Sequence, residues 1–384
     1  MTRNDLFDRR TLDSLLVKPA GPDCNLACDY CFYREKTSLF APGGPKRMSL
    51  EILEETVRQA LVQGGRTMSF GWQGGEPTLM GLDFFRQAVE LEERHGRDQT
   101  VANGLQTNGL LLDLEWADFL RQYRFLVGLS LDGPEHVHDH CRHFVGGPPT
   151  WASVVEKAHL LLAEGVDVHA LVVVNDYSVH FAREIYEFHR DLGLTFMQFI
   201  PCVESDPRDP SRAAPFSVAG EDLGAFLIEL FDLWRADFRD GQPATSIRFF
   251  DSLFYHYVGQ TPPECTLLPE CGTYLVVEHN GDVYACDFFV EDAWKLGNVM
   301  AGRLDHMLNS AKQREFGRRK AGLVEKCRAC RWLAYCRGGC PKDRLRDPRD
   351  DGLSHFCRAY EIFFEHADAE LRVMAEEWKK QNMP

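Results

Sequence analysis

Short apolar runs alternate with amphipathic stretches through the first half of the chain. Ser14–Val17, Thr67–Trp72, Ala102–Thr107, Phe125–Leu131, Val168–Val174 and Phe196–Ile200 carry the compact apolar pattern that predicts strands. Between them, apolar positions recur at helical spacing in segments that begin near Ser49, Leu82, Leu114, Trp151 and Val179. Ser49 stands where an N-cap belongs, because its hydroxyl can accept a backbone N–H that the first helical turn leaves unpaired. Strands interleaved with helices imply parallel pairing through right-handed crossovers. Six units fall short of a closed eight-stranded barrel, so residues 1–204 are expected to form an open, partial (β/α)6 barrel of the α/β class. Chemistry in such folds collects at the C-terminal strand ends.

The pattern then changes twice. SDPRDPSRAAP (Ser205–Pro215) is polar and proline-rich and predicts a linker, followed by helices over Gly220–Phe238 and Phe249–Val258, so residues 205–260 bridge two units. From residue 261 to 384 the chain predicts short strands, turns and a closing helix over Ala359–Lys379. Tyr274–His279 and Asp282–Cys286 flank Asn280-Gly281, which predicts a type I′ hairpin turn.

With 44% hydrophobic and 26% charged residues, the composition is that of an ordinary globular protein. No apolar run is long enough to span a membrane, and the first residues lack the apolar core of a secretory signal, so a cytoplasmic protein is expected. A net charge of −15 argues against nucleic acid as a partner, since phosphate binding needs clustered cations. The one basic run, KQREFGRRK (Lys312–Lys320), reads as a solvated helix face. Thirteen cysteines change the picture, because in a reducing compartment clustered cysteines favour metal or redox chemistry over disulfides.

These cysteines fall into two dense groups. Cys24-Asn-Leu-Ala-Cys28-Asp-Tyr-Cys31 gives C-x3-C-x2-C directly after the first predicted strand. Three thiolates on one loop can hold three irons of a cubane cluster and leave the fourth open to a small molecule. Zinc prefers four ligands in paired spacings and fits this loop poorly. Cys265, Cys271, Cys286, Cys327, Cys330, Cys336, Cys340 and Cys357 form the second group. Eight thiolates suit two fully ligated iron–sulfur clusters, with two zinc ions as the rival.

The segment CNLACDYCFY resembles the signature loop of radical S-adenosylmethionine (SAM) proteins, in particular the anaerobic sulfatase-maturating enzymes. The resemblance continues through FGWQGGEPTLMGLDFF (Phe70–Phe85), LQTNGLLL (Leu105–Leu112), VGLSLDGPEHVHDHCR (Val127–Arg142), LVVVN (Leu171–Asn175) and FMQFIPCVE (Phe196–Glu204). The second cysteine group resembles the SPASM extension of peptide-modifying members.

This resemblance implies three [4Fe-4S] clusters: one on Cys24, Cys28 and Cys31 that binds SAM, and two auxiliary ones. Cys265, Cys271, Cys286 and Cys340 would hold the first auxiliary cluster, and Cys327, Cys330, Cys336 and Cys357 the second. Gly74, Gly75 and Glu76 would meet the methionine moiety; Ser130 the ribose or carboxylate; Arg142 the carboxylate; and the main chain of Tyr30 and Val203 the adenine, with Asn108 at a further strand end. Asp287 would be the general base, with Tyr33 and Gln73 near the substrate side chain. The implied reaction converts a Cys or Ser of a sulfatase to Cα-formylglycine, in a Cys/Ser-x-Pro-x-Arg-like motif, with flavodoxin or ferredoxin as reducing partner.

Two rivals stand beside this reading. One is another SPASM-type modifier making a thioether crosslink or an epimer; only residues 1–13 precede the first predicted strand, which leaves no leader-binding domain and favours the maturase. The other is a non-catalytic electron carrier, which would need neither Gly74-Gly75-Glu76 nor an open iron. His136, His138, His140 and His143 around Cys141 raise the question of a further metal, against plain loop hydrogen bonding. Cys141 and Cys202 read as ordinary thiols. The segment APGGPK (Ala41–Lys46) and the stretch Phe249–Thr261 depart from the family pattern.

Overall fold

Parallel pairing in strict chain order builds the first half of the molecule. In the computed structural model, which describes residues 9–382 except 41, 42, 44 and 45, β1 (Ser14–Lys18), β2 (Thr67–Trp72), β3 (Thr100–Thr107), β4 (Leu126–Ser130), β5 (Asp167–Val174) and β6 (Phe196–Pro201) each pair parallel with the next. Helices Leu50–Gln63, Leu82–His95, Leu114–Gln122, Trp151–Ala163 and Ala182–Leu192 make the crossovers. Ser49 caps the first as its sequence position requires, its hydroxyl accepting from the Ile52 N–H at 3.3 Å. The apolar faces meet in one core running from Leu15 and Val17 through Trp72, Leu105 and Val127 to Val172 and Met197. Most of the APGGPK segment lies outside the described residues.

Beyond β6 come a two-stranded ribbon, β7 (Ser205–Asp206) with β8 (Asp209–Ala213), and a short strand β9 (Ser246–Ile247) that pairs with β6. The polar stretch read as a linker is therefore ordered as a ribbon, its Ala213 N–H donating to Asp347 at 3.1 Å. Helices Gly220–Ala236 and Arg248–Tyr257 follow.

Strands β10 (Leu275–Glu278), β11 (Asp282–Tyr284) and β12 (Lys295–Asn298) do not form a sheet of their own. β10 pairs parallel with β1, from Leu15 opposite Leu275 to Lys18 opposite Glu278, giving one open ten-stranded sheet in the order β12-β11-β10-β1-β2-β3-β4-β5-β6-β9. The hairpin turn is not type I′. Gly281 alone has a positive φ, +82°, and its N–H donates to the Glu278 carbonyl at 2.8 Å, so residues 279–281 form a three-residue loop with glycine in the left-handed position. The closing helix, Cys357–Asn382, lies along Gly220–Ala236, where Phe231, Phe250 and Phe363 pack together. No helix among the described residues is long and apolar enough to cross a membrane.

Candidate functional site

Cys24, Cys28 and Cys31 occupy the loop that leaves β1, and the ends of β2 and β3 form its floor. Gly75 N–H donates to the Gly21 carbonyl at 2.7 Å and Glu76 N–H to that of Asp23 at 2.8 Å. A Cβ on Gly75 would lie 2.0 Å from the Asp23 oxygen, so only glycine lets the two loops approach this closely. The buried Glu76 carboxylate accepts from Thr78, from the Thr107 hydroxyl at 2.8 Å and from the Asn108 N–H at 2.8 Å, tying β2 to β3. Asn108 in turn donates to Asn25 in the cysteine loop at 2.8 Å. Burial pushes the Cys24 thiol up to about 12 and that of Cys28 up to about 11, so without a metal both sulfurs keep their protons near neutral pH.

On the β4 side, half-buried Ser130 ends the strand and Asp132 lies just beyond. Arg142 donates to both Asp132 oxygens, at 2.9 and 3.1 Å, and the Tyr30 hydroxyl donates to the same carboxylate. All three side chains are buried, and the Arg142 charge is already balanced by Asp132. The Val203 carbonyl accepts from the buried ammonium of Lys342 at 2.9 Å.

The histidines scatter to separate partners. His136 meets Tyr177 and Glu184, His140 stacks on Tyr177, and His143 lies 3.5 Å from Asp29. His138 is buried, accepting from the Asp132 N–H and bonded to Thr150, and burial lowers it to about 4, so its imidazole is neutral. They make loop and core hydrogen bonds, and among the described residues no three of them bring possible ligand atoms together. Cys141 and Cys202 are buried beside Tyr30.

A second constellation forms where the C-terminal strands join β1. Asp287 follows Cys286 on a short turn after β11. Lys18, the last residue of β1 and 1% exposed, forms an ion pair with Asp287 Oδ1, while Gln73 Nε2 donates to Oδ2 at 2.8 Å. The Lys18 ammonium lies 3.5 Å over the Tyr33 ring centroid, and the Tyr33 hydroxyl donates to the fully buried Glu278. Burial, with Glu278 beside it, holds the Tyr33 phenol well above its ordinary value. Pairing of β10 with β1 produces this cluster, because the register sets Glu278 opposite Lys18. Sequence reasoning missed Lys18, Glu278 and Lys342; for the first two the available signal was a charged residue ending an otherwise apolar strand, and Lys342, on a short turn after Cys340, carried none.

The remaining cysteines gather in two places. Cys327, Cys330, Cys336 and Cys357 line a single cavity together with Trp332 and Tyr360. Cys265, Cys271, Cys286 and Cys340 lie near one another further in, where burial raises every thiol, Cys286 to about 12 and Cys265 to about 11, with neighbouring members of the set adding to the shift. Among the described residues, only Asp347, Asp350 and His355 bring three possible ligand atoms within 4.8 Å of one another. No three cysteine sulfurs converge that closely, whereas thiolates around one tetrahedral zinc stand roughly 3.8 Å apart. Three thiols on one loop and two sets of four are donor sets of the kind that hold iron–sulfur clusters.

Comparison with known proteins agrees with this geometry. The model of the radical SAM superfamily matches residues 19–189, and that of the SPASM iron–sulfur cluster-binding domain matches residues 269–331. A serine-type anaerobic sulfatase-maturating enzyme of Bacteroides thetaiotaomicron is 36% identical over 389 residues, covering 96% of this chain and 93% of its own. A cysteine-type enzyme of Clostridium perfringens is 36% identical over 358 residues, covering 92% of this chain and 96% of its own. The solved structure of native anSMEcpe with bound AdoMet and Cp18Cys peptide superposes with a TM-score of 0.86 at 36% identity, covering 95% of this chain and 99% of that one.

Proposed function

The chain belongs to the anaerobic sulfatase-maturating enzymes of the radical SAM superfamily, and from that premise we propose how its own residues divide the work of making formylglycine. It is a radical SAM enzyme that converts a Cys or Ser of a sulfatase polypeptide to Cα-formylglycine, with SAM and three [4Fe-4S] clusters as cofactors. Serine-type and cysteine-type relatives match equally well at 36%, so the reading covers both residues.

Cys24, Cys28 and Cys31 would hold the cluster that binds SAM, and together these would supply hydrogen-atom abstraction at the substrate Cβ. Gly74, Gly75 and Glu76 shape the floor of that site, Asn108 braces the cysteine loop, and Ser130, Arg142, Tyr30 and Val203 frame the cofactor from β4, β6 and the loop. Asp287 takes the proton from the substrate thiol or hydroxyl. Lys18 and Gln73 fix its two oxygens, so the base is held in one orientation as the peptide arrives, and Tyr33 walls the same space. Loss of a hydrogen atom and a proton leaves one electron to dispose of, and the two four-cysteine sets would hold the clusters able to take it. Ser then stands as the aldehyde, whereas Cys stands as the thioaldehyde, which water hydrolyses to the aldehyde with release of hydrogen sulfide.

The substrate motif is Cys/Ser-x-Pro-x-Arg-like, the reducing partner is a flavodoxin or ferredoxin, and the enzyme works in the cytoplasm. Its parts are a radical SAM barrel over 1–204, a bridge over 205–260 and an auxiliary iron–sulfur unit over 261–384.

The observation that carries the proposal is Asp287, next to Cys286 and gripped by Lys18 and Gln73 from the ends of β1 and β2. Anaerobic incubation of the reconstituted enzyme with SAM, reductant and a peptide carrying the Cys/Ser-x-Pro-x-Arg motif, followed by mass spectrometry, tests it. Asp287→Asn should lower peptide oxidation by about 100-fold or more while deoxyadenosine still forms. Unchanged oxidation would remove Asp287 from its role, and deoxyadenosine without any aldehyde from the wild type would sink the maturase reading.

A further inference from the structure

The basic run Lys312–Lys320, which reads as a solvated face, ends in a residue that is 0% exposed. The Lys320 ammonium donates to the carbonyls of Cys265 at 2.8 Å and Thr266 at 2.6 Å. Its own carbonyl accepts from Arg344 Nη1 at 2.9 Å. Arg344 is also buried, and its Nε donates to the Gly338 carbonyl at 2.9 Å. Gly338 N–H then donates to the Cys336 sulfur at 3.4 Å. An unbroken hydrogen-bonded run thus connects Cys265 of the inner cysteine set to Cys336 of the outer one, and both side chains within it are cationic.

Neither cation has a carboxylate partner among the described residues; their hydrogen bonds go to carbonyls. Lys342, a buried cation in the same region, is handled differently, with Glu204 at 3.1 Å and Asp343 at 3.6 Å. A buried charge without a counter-ion is costly, so the balancing charge must come from elsewhere. Burial lowers the pKa of both cations, and the groups that would offset this once ligated as thiolates are Cys271, Cys265 and Cys340 for Lys320, and Cys327, Cys340, Cys271 and Cys336 for Arg344. Arg344 therefore faces members of both sets.

We propose that Arg344 and Lys320 are counter-cations built in for the two four-thiolate sets, a cationic bridge that makes both auxiliary clusters easier to reduce. Reduction adds a negative charge to a unit already carrying that of four thiolates, and a nearby buried cation favours the more negative state. Arg344 serves both sets, and Lys320 serves the inner one. The proposal rests on the ligand sets given under the proposed function.

The test is redox potentiometry of the reconstituted holoenzyme followed by electron paramagnetic resonance, with iron and sulfide measured in parallel. Arg344→Gln should shift both auxiliary midpoint potentials to more negative values, Lys320→Met should shift mainly the inner one, and Arg344→Lys should stay near the wild type. Unaltered potentials in Arg344→Gln with full iron content, or an equal shift in Arg344→Lys, would overturn the bridge. If Arg344→Gln loses iron, Arg344→Lys must regain it; loss in both variants assigns Arg344 to packing and overturns the proposal. Wild-type protein lacking auxiliary-cluster signals would overturn the ligand sets and the bridge with them, whereas unaltered potentials against intact wild-type signals overturn the bridge alone.

Discussion

Lys18 ends an apolar strand and would ordinarily point its ammonium to water, yet it is enclosed between Asp287 and the Tyr33 ring. Its charge fixes the Asp287 carboxylate, the base of the proposed reaction. Replacing it by methionine keeps length and apolar packing but removes the ion pair. A charge-assisted bond is worth about 1.5–3 kcal/mol, so Lys18→Met should lower peptide oxidation on the order of 10- to 100-fold. Deoxyadenosine formation without peptide should persist, because Cys24, Cys28 and Cys31 are untouched; both products can be followed by liquid chromatography and mass spectrometry. Oxidation at the wild-type rate would show that Gln73 alone positions Asp287. The cysteine loop was legible because its information is local, three thiols within eight positions, and Asp287 because it adjoins a ligand. Lys18, Glu278 and Lys342 were not, since their partners lie far along the chain; pairing of β10 with β1 brings the first two to theirs, and folding of the turn after Cys340 against Val203 brings the third.

At the scale of elements, β2, β3 and the helix Leu82–His95 are joined by a buried polar chain. Trp72 Nε1 donates to Asn103 at 2.7 Å, and Asn103 Nδ2 donates to Glu92 at 2.9 Å. Burial raises Glu92 to about 7, against an ordinary value of 4.5. Between those two values the folded protein binds more protons at this carboxyl than the unfolded chain does, so stability falls as pH rises through that window and is flat above it. Glu92→Gln keeps an acceptor for Asn103 and cannot ionise. The variant should match the wild type near pH 4.5 and exceed it at pH 8, by at most about 3 kcal/mol, seen as a higher melting temperature under anaerobic conditions. Equal melting temperatures at pH 8 would place the charge of Glu92 in contact with water. Strand and helix positions in this half followed from the apolar pattern, since each element buries one continuous face. The hairpin turn was misread for a different reason: Asn-Gly announces a turn, but the register of β10 and β11 leaves three residues between them and sends only glycine left-handed.

Over the whole molecule, the joining of β10 to β1 makes the auxiliary unit part of the barrel sheet rather than an appendage. This was invisible in the pattern, because a parallel edge shared by residues 14–18 and 275–278 leaves no local trace. It also ties the active site to iron. Asp287 lies among short elements between Cys265 and Cys340, and with the proposed ligand sets, whose thiols come from segments distant in sequence, metal binding would supply much of the order there. The β1–β6 core and the packing of the closing helix on Gly220–Ala236 are apolar and need no metal. Removing iron with a chelator under reducing conditions should therefore open the chain locally. Limited proteolysis should cut between residues 261 and 356 and spare both the barrel and the closing helix, and circular dichroism should keep most of its helical signal. Uniform resistance would mean that β10 and β11 hold on apolar contacts alone, and complete unfolding would mean that the clusters support the barrel as well. If the cuts fall as expected, the base and the auxiliary ligands are lost together while the SAM-binding loop stays folded. An enzyme damaged in this region would then lose peptide oxidation before it loses the fold that carries Cys24, Cys28 and Cys31.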